Sequence, residues 1–335
     1  MSVLDEMKTA IKAALPELEL VIGWERSFDE GRATPLFMRA PEDVDRLILD
    51  ARCEQGLPVY LTGLRGQKVG VVVKGCDSRA VVQLAREGLI DCEKITVFGF
   101  GCTGTLSRAR LEEVVALTHN PDHVAAVECT GSVASGKVRA TLTPAGGAEG
   151  HVSCEALEVP FSDACFEKCL TCRHPNGVAV DRFVGPEVDA TPARETAPSQ
   201  EAFERVPLEE RFTFWQEEMR RCVRCYACRN SCPMCVCRDH CISSSRDPHW
   251  LSQESSAGEN FMFQLIHVSH LAGRCVECGE CERACPVNLP LMLLRRTMAG
   301  AVRDVFGHES GVDPEAAPPL LTFKVDEDNI KEREW

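Results

Sequence analysis

Apolar residues in the first half of this chain fall in short unbroken runs, whereas in the second half they recur at helical spacing. Val69-Gly70-Val71-Val72-Val73 is one such run, followed by Lys74-Gly75-Cys76-Asp77-Ser78 and helical spacing through Arg86. Ile95-Thr96-Val97-Phe98 repeats it, followed by Gly99-Phe100-Gly101-Cys102-Thr103-Gly104 and a helical stretch from about Ser107 to Leu117. Short apolar runs bounded by glycine read as buried strands, and strand–turn–helix units in tandem predict adjacent parallel strands. The pattern further predicts an opening helix over Val3–Leu15, another over Pro41–Glu54, and β structure with glycine-rich turns from Gly131 to Pro160. Residues 1–185 are therefore expected to form an α/β domain. Residues 186–207, rich in Pro, Ala, Thr and Glu, predict a linker. Amphipathic spacing over Leu208–Arg221 and Phe261–Leu271 predicts that 208–305 is a mainly α-helical domain. Residues 306–335, with Pro318-Pro319, read as a docking tail.

Length and charge narrow the function. The 335 residues are enough for two domains with a sizeable core. A formal net charge of −14 argues against nucleic acid, which selects basic surfaces. Protein partners or small redox molecules fit better. No apolar stretch approaches the length of a membrane span. Met1-Ser2-Val3-Leu4-Asp5-Glu6 lacks the basic and apolar regions of a signal peptide. The expected location is the cytoplasm, where thiols stay reduced and can hold iron.

The 20 cysteines change the picture, being too many for packing and too clustered for a disulfide scaffold. Cys222, Cys225, Cys228 and Cys232-Pro233 form a C-x2-C-x2-C-x3-C-P run, and Cys275, Cys278, Cys281 and Cys285-Pro286 repeat it. Three thiolates on one tight loop can cap three corners of a [4Fe–4S] cube, while the fourth cysteine reaches the other cluster. The spacing thus predicts one cluster on Cys222, Cys225, Cys228 and Cys285, and a second on Cys275, Cys278, Cys281 and Cys232. Zinc is the competing reading, since paired C-x2-C also builds zinc ribbons. Cys235, Cys237 and Cys241 follow the first motif and read as packing, or as a replacement for Cys232. Cys53, Cys92, Cys129 and Cys154 stand alone and read as core or surface residues. His267 and His270 share a helix face, where packing or capping is the expected role.

Cys76 and Cys102 occupy equivalent places in the two tandem units, just past a strand's C-terminal end, where open α/β sheets bind ligands. A helix N-terminus there is expected to favour the thiolate. With Cys169 and Cys172 they would complete a third [4Fe–4S] site, Cys165 being the substitute ligand. Buried packing is the alternative for Cys76 and Cys102. Gly99-x-Gly101-x-x-Gly104 also matches a dinucleotide fingerprint, but with a cysteine at its centre and no clear acidic residue ending the next strand. The glycines serve equally to let backbone pass close to a cluster.

Gly75-Cys76-Asp77, Gly101-Cys102 and Cys169-x2-Cys172 together resemble the beta subunits of deazaflavin (coenzyme F420) hydrogenases and formate dehydrogenases, over about residues 60–185. Residues Leu208–Arg296, with Cys-Pro-Val-Asn-Leu-Pro after the last ligand, resemble the helical dicluster domain of heterodisulfide reductase small subunits. The first resemblance implies FAD beside a [4Fe–4S] cluster. Here, however, the ferredoxin module comes last, and no Ser-Gly-Gly turn opens a helix near the N-terminus.

These features lead to an iron–sulfur electron-transfer subunit of a cytoplasmic oxidoreductase complex. By resemblance its catalytic and flavoprotein partners are a formate dehydrogenase, a hydrogenase or a heterodisulfide-reductase-like protein. The alternatives are a flavoprotein exchanging hydride with a deazaflavin or nicotinamide, and a zinc-stabilised scaffold. Four arginines (Arg220, Arg221, Arg224, Arg229) flank the Cys222 loop. Three glutamates (Glu277, Glu280, Glu282) against Arg274 and Arg283 flank the Cys275 loop. Flanking charge alone predicts that the Cys222-loop cluster is the easier to reduce.

Overall fold

A computed structural model describes residues 1–29, 31–118, 121–144, 155–237, 241–243, 252, 254–317 and 319. Among the described residues eight strands occur: β1 (Leu20–Arg26), β2 (Ala33–Met38), β3 (Val69–Val73), β4 (Ile95–Phe100), β5 (Pro121–Thr130), β6 (Lys137–Pro144), β7 (Glu155–Pro160) and β8 (Arg182–Val184). One sheet has the order β2-β1-β3-β4-β8, and the other is β5-β6-β7. In the first, β1, β3, β4 and β8 are parallel and β2 pairs antiparallel to β1. The two apolar runs predicted as neighbours do pair, Val71 opposite Val97. All of β3 is buried, as a central parallel strand covered on both faces must be.

Helices α1 (Val3–Ala14), α2 (Gly75–Arg86) and α3 (Arg108–Thr118) belong to the first half. Ser2 caps α1, its Oγ accepting from the Asp5 N–H at 3.2 Å while Asp5 accepts from the Ser2 N–H. Met7 and Ile11 of α1 are fully buried in the sheet's core. The predicted helix over Pro41–Glu54 reduces to one 3₁₀ turn, Asp43–Arg46. Beyond it the Ile48 N–H donates to Trp24 O at 2.9 Å, so this stretch bonds to β1 rather than to itself.

Single helical turns α4 (Phe161–Ala164) and α5 (Glu167–Leu170) carry the chain toward Cys169 and Cys172. The segment 186–207 contains α6 (Pro198–Glu204) and is tied down at both ends. Asn176 exchanges two 2.9 Å hydrogen bonds with Val188, and Phe203 packs on Trp215. Then come α7 (Arg211–Arg221), α8 (Ala227–Asn230), α9 (Ala257–His270), α10 (Glu280–Arg283) and α11 (Leu291–Phe306). Gly307, at φ 62°, ends α11 in the left-handed conformation that glycine adopts without strain.

The halves share a core. Cys232, Met234, Leu271 and Val276 join the cluster built on β3 and β4. Ion pairs Arg274–Glu87 and Arg283–Glu54 cross the same boundary. Arg79 donates twice to Ser310 O, at 3.1 and 2.8 Å. The tail expected over 306–335 is described only to 317 and at 319; Cys154 also lies outside the described residues.

Candidate iron–sulfur centres

The two cysteine loops are conformational copies. Arg224 (φ 51°) and Tyr226 (φ 61°) are left-handed in the first, and Glu277 (φ 56°) and Gly279 (φ 74°) occupy the same places in the second. Such backbone is uncommon outside glycine and persists only where surroundings impose it. Each loop runs straight into a single helical turn, α8 or α10. Alternating left-handed residues curl the chain, and Cys222, Cys225, Cys228 and Cys285 all line one small cavity. Asn260, fully buried on α9, pins this loop by donating to Met219 O (3.1 Å) and Cys222 O (2.9 Å). Gln264 Nε2 donates to Cys228 Sγ at 3.6 Å, and the Leu289 N–H to Cys285 Sγ at 3.4 Å.

Cys232 lies in turn beside Cys275, Cys278 and Cys281. The structure therefore brings the fourth cysteine of each run to the loop of the other. Arg295, 1% exposed on α11, faces Cys281, Cys275 and Cys232. Its Nε and Nη1 have no hydrogen-bond partner among the described residues. A buried guanidinium without a carboxylate is costly, and a cluster of net negative charge is the group that would balance it. Arg224 is likewise buried at the first loop, with Nε and Nη2 unpartnered among the described residues and a Glu259 carboxylate oxygen 3.9 Å from its Nη1. The donor set fits iron–sulfur chemistry at both places.

Cys76, Cys102, Cys169 and Cys172 meet at the C-terminal edge of β3 and β4, lining a cavity of about 480 Å³. Cys76 sits in the first turn of α2, and Cys102 lies in extended chain after β4, its N–H donating to Pro175 O at 3.0 Å. Burial pushes the Cys76 thiol up to about 12, with Asp77 adding to it and Lys168 and Lys74 only partly opposing. Desolvation thus outweighs the helix N-terminus expected to favour the thiolate, and a bound cation is needed to hold it. Cys169 Sγ accepts from the Thr105 N–H at 3.4 Å. Cys165 does not line this cavity; its Sγ bonds to Ser162 O at 3.6 Å within a separate core. The dinucleotide fingerprint lacks its geometry, since α3 begins only at Arg108. Gly99 and Gly101 instead admit Val180 and Val188 closely.

Lys168 joins the third group to the second. It precedes Cys169, and its Nζ donates to Cys278 O at 2.5 Å. Burial pulls its pKa down, but Cys76, Glu280, Cys169 and Cys278 pull it further up, so the ammonium stays charged. Lys168 and Arg295 add to the charges that flank the ligands along the sequence. Both lie against the Cys275 loop, whereas Arg220 and Arg221 are exposed and paired with Glu217 and Glu218. Sequence proximity missed them, although a paired Arg295-Arg296 on the apolar face of α11 was a readable signal. His267, expected to pack or cap, is buried against Phe263 and also hydrogen-bonds between Arg295 and Cys235.

Comparison with known proteins follows this geometry. The 4Fe-4S dicluster domain family matches residues 218–289. The beta subunit of an F420-dependent formate dehydrogenase from Methanocaldococcus jannaschii is 26% identical over 78% of this chain and 78% of its own length. That of formate dehydrogenase 1 from Methanococcus maripaludis is 24% identical over 90% of this chain and 88% of its own. A chain of the F420-reducing [NiFe] hydrogenase complex from Methanosarcina barkeri matches at 16% identity over 52% of this chain and 62% of its own, with a TM-score of 0.36, too distant to carry an argument. Among the described residues no helix is long and apolar enough to cross a membrane. The chain is an iron–sulfur protein with a 4Fe-4S dicluster domain in its second half, similar along most of its length to the beta subunits of F420-dependent formate dehydrogenases.

Proposed function

We propose that this chain is the iron–sulfur electron-transfer subunit of a cytoplasmic multi-subunit oxidoreductase. Cys222, Cys225, Cys228 and Cys285 hold one [4Fe–4S] cluster, and Cys275, Cys278, Cys281 and Cys232 a second. Cys76, Cys102, Cys169 and Cys172 hold a third. The carrying observation is that twelve cysteines gather in three groups of four, each beside a buried or half-buried cation. Bound there, the clusters supply one-electron steps. The protein's own residues exclude water, donate N–H groups to sulfur and fix the charge around each group. Partners are the catalytic and flavoprotein subunits of a formate dehydrogenase, hydrogenase or heterodisulfide-reductase-like assembly, in keeping with the names of the relatives.

The cavity favours a second reading. Its volume suits a small-molecule site, and Arg79, Arg173, Arg296 and Ser132 line it beside the third group. FAD bound there would let the chain itself exchange hydride with a deazaflavin or nicotinamide. Iron, sulfide, zinc and flavin measured on one anaerobically purified sample test these readings together. Three cubanes predict about twelve irons and twelve sulfides, falling by about four in Cys102→Ser. A plateau at about eight irons removes the third cluster. Flavin released on denaturation supports the enzyme reading, and zinc without iron overturns both.

A further inference from the structure

We propose that the fourth corner of the second cluster has two resident sulfurs, with Cys235, held by His267 and Arg295, able to take the iron that Cys232 holds. This rests on the reading that Cys275, Cys278, Cys281 and Cys232 hold a cluster. Cys235 follows Cys232 by one turn, its N–H donating to Cys232 O at 3.1 Å. The ligand atoms of Cys232, Cys235 and His267 all lie within 4.8 Å of one another. That is near enough for a rotamer change to exchange one sulfur for the other.

The hydrogen bonds around His267 give the group its direction. Arg295 Nη2 lies 2.6 Å from His267 Nδ1, and arginine has no acceptor, so Nδ1 accepts. The neutral ring then carries its hydrogen on Nε2, which lies 3.1 Å from Cys235 Sγ. His267 is 2% exposed, and the Arg295 guanidinium against Nδ1 leaves no room for a second ring hydrogen. The lone pair of His267 is already engaged by Arg295, so the three residues are not a Cys2His site for a separate metal. Cys235 is instead presented as an acceptor, the role of a thiolate or a metal-bound sulfur rather than of a packing thiol. A further observation points to the same corner: Arg295 Nε and Nη1 are buried and without a hydrogen-bond partner among the described residues.

In the exchange one iron–sulfur bond breaks and one forms. Cys232 leaves as a thiolate and Cys235 enters as one, so no electron moves and no net proton is taken up. A corner that would otherwise shed its iron when Cys232 is displaced keeps a sulfur ligand throughout.

Iron content and electron paramagnetic resonance of the anaerobically purified full chain decide it. The wild type is measured first, because absence of the second cluster there overturns the functional reading and not this one in particular. Cys232→Ala is expected to keep the wild-type iron content with an altered second-cluster signal, and Cys235→Ala to keep both content and signal. The double variant is expected to lose about four irons, or one iron with appearance of a three-iron signal. Loss of iron in Cys232→Ala alone shows that Cys235 cannot take the corner. Loss in Cys235→Ala alone makes Cys235 the standing ligand, and full retention in the double variant places the ligand elsewhere; each overturns the proposal. If Cys232→Ala does not fold, Cys232→Ser with and without Cys235→Ala gives the same comparison.

Discussion

A methyl group on Gly75 would lie 1.8 Å from the carbonyl oxygen of His174 and 2.9 Å from that of Asn176. Two backbones touch there, one leading into Cys76 and the other leaving Cys172. Glycine is needed for this approach alone, since neither flexible side chains nor a positive φ is involved. Gly75→Ala should cost about 1–3 kcal/mol through overpacking and push the two ligand segments apart. The expected outcome is loss of about four irons with the other eight retained, read by iron analysis and by thermal unfolding. Unchanged iron with lowered stability would show that the segments part without moving the thiols. At this scale the cysteines were legible in the sequence, because their spacing is itself chemistry. Lys168 and Arg295 were not, nor were the roles of Gly75 and His267, which arise only when segments distant in the chain meet.

Among the elements, the segment after α11 is fastened by Glu309, which accepts from His174 at 3.1 Å and Arg173 at 3.0 Å and lies 3.6 Å from Arg79. The His174 hydrogen bond, with Arg79 and Arg173 and against burial, lowers its carboxyl from an ordinary 4.5 to about 2. A depressed carboxyl stabilises above its unfolded pKa, and that contribution fades as pH falls from about 4.5 toward 2. Glu309→Gln should flatten this part of the acid-unfolding profile and speed amide exchange around Ser310, whose carbonyl Arg79 holds. An unaltered profile would mean the fastening lies in Arg79 alone. Strands β3 and β4 were legible because both faces are buried, leaving unbroken apolar runs. The hairpin β1–β2 was not identified; β2 carries Pro35 opposite Trp24, and as the edge strand it is where a sheet tolerates proline. The segment 186–207 has the composition of a linker, and packing of Phe203 overrides that composition.

Across the whole molecule, buried cations are expected to act on the cluster potentials more strongly than exposed ones. Arg295 and Lys168 lie against the Cys275 loop, in an interior where charge is weakly screened. One charge at ~10 Å and an effective dielectric of ~20 contributes about 1.7 kcal/mol, near 70 mV for one electron. Exposed, paired Arg220 and Arg221 contribute far less. Buried Arg224 acts on the Cys222 loop as Arg295 and Lys168 do on the Cys275 loop, buried Glu280 opposes at the Cys275 loop, and Arg295 lies beside Cys228 as well, so buried charge alone does not order the two clusters. Arg295→Met should lower the Cys275-loop potential by roughly 70 mV in a titration followed by electron paramagnetic resonance. An unchanged Cys275-loop signal would show that Arg295 does not act on that cluster.

The exchange of fourth cysteines between the loops also dictates a calendar for synthesis. As the chain leaves the ribosome, the Cys222 loop emerges first, but its partner Cys285 comes last of all. Cys232 is by contrast already waiting when the Cys275 loop appears. The loop made later is thus the first whose four thiols are assembled, at Cys281, and the loop made earlier must stay open until Cys285 has been added.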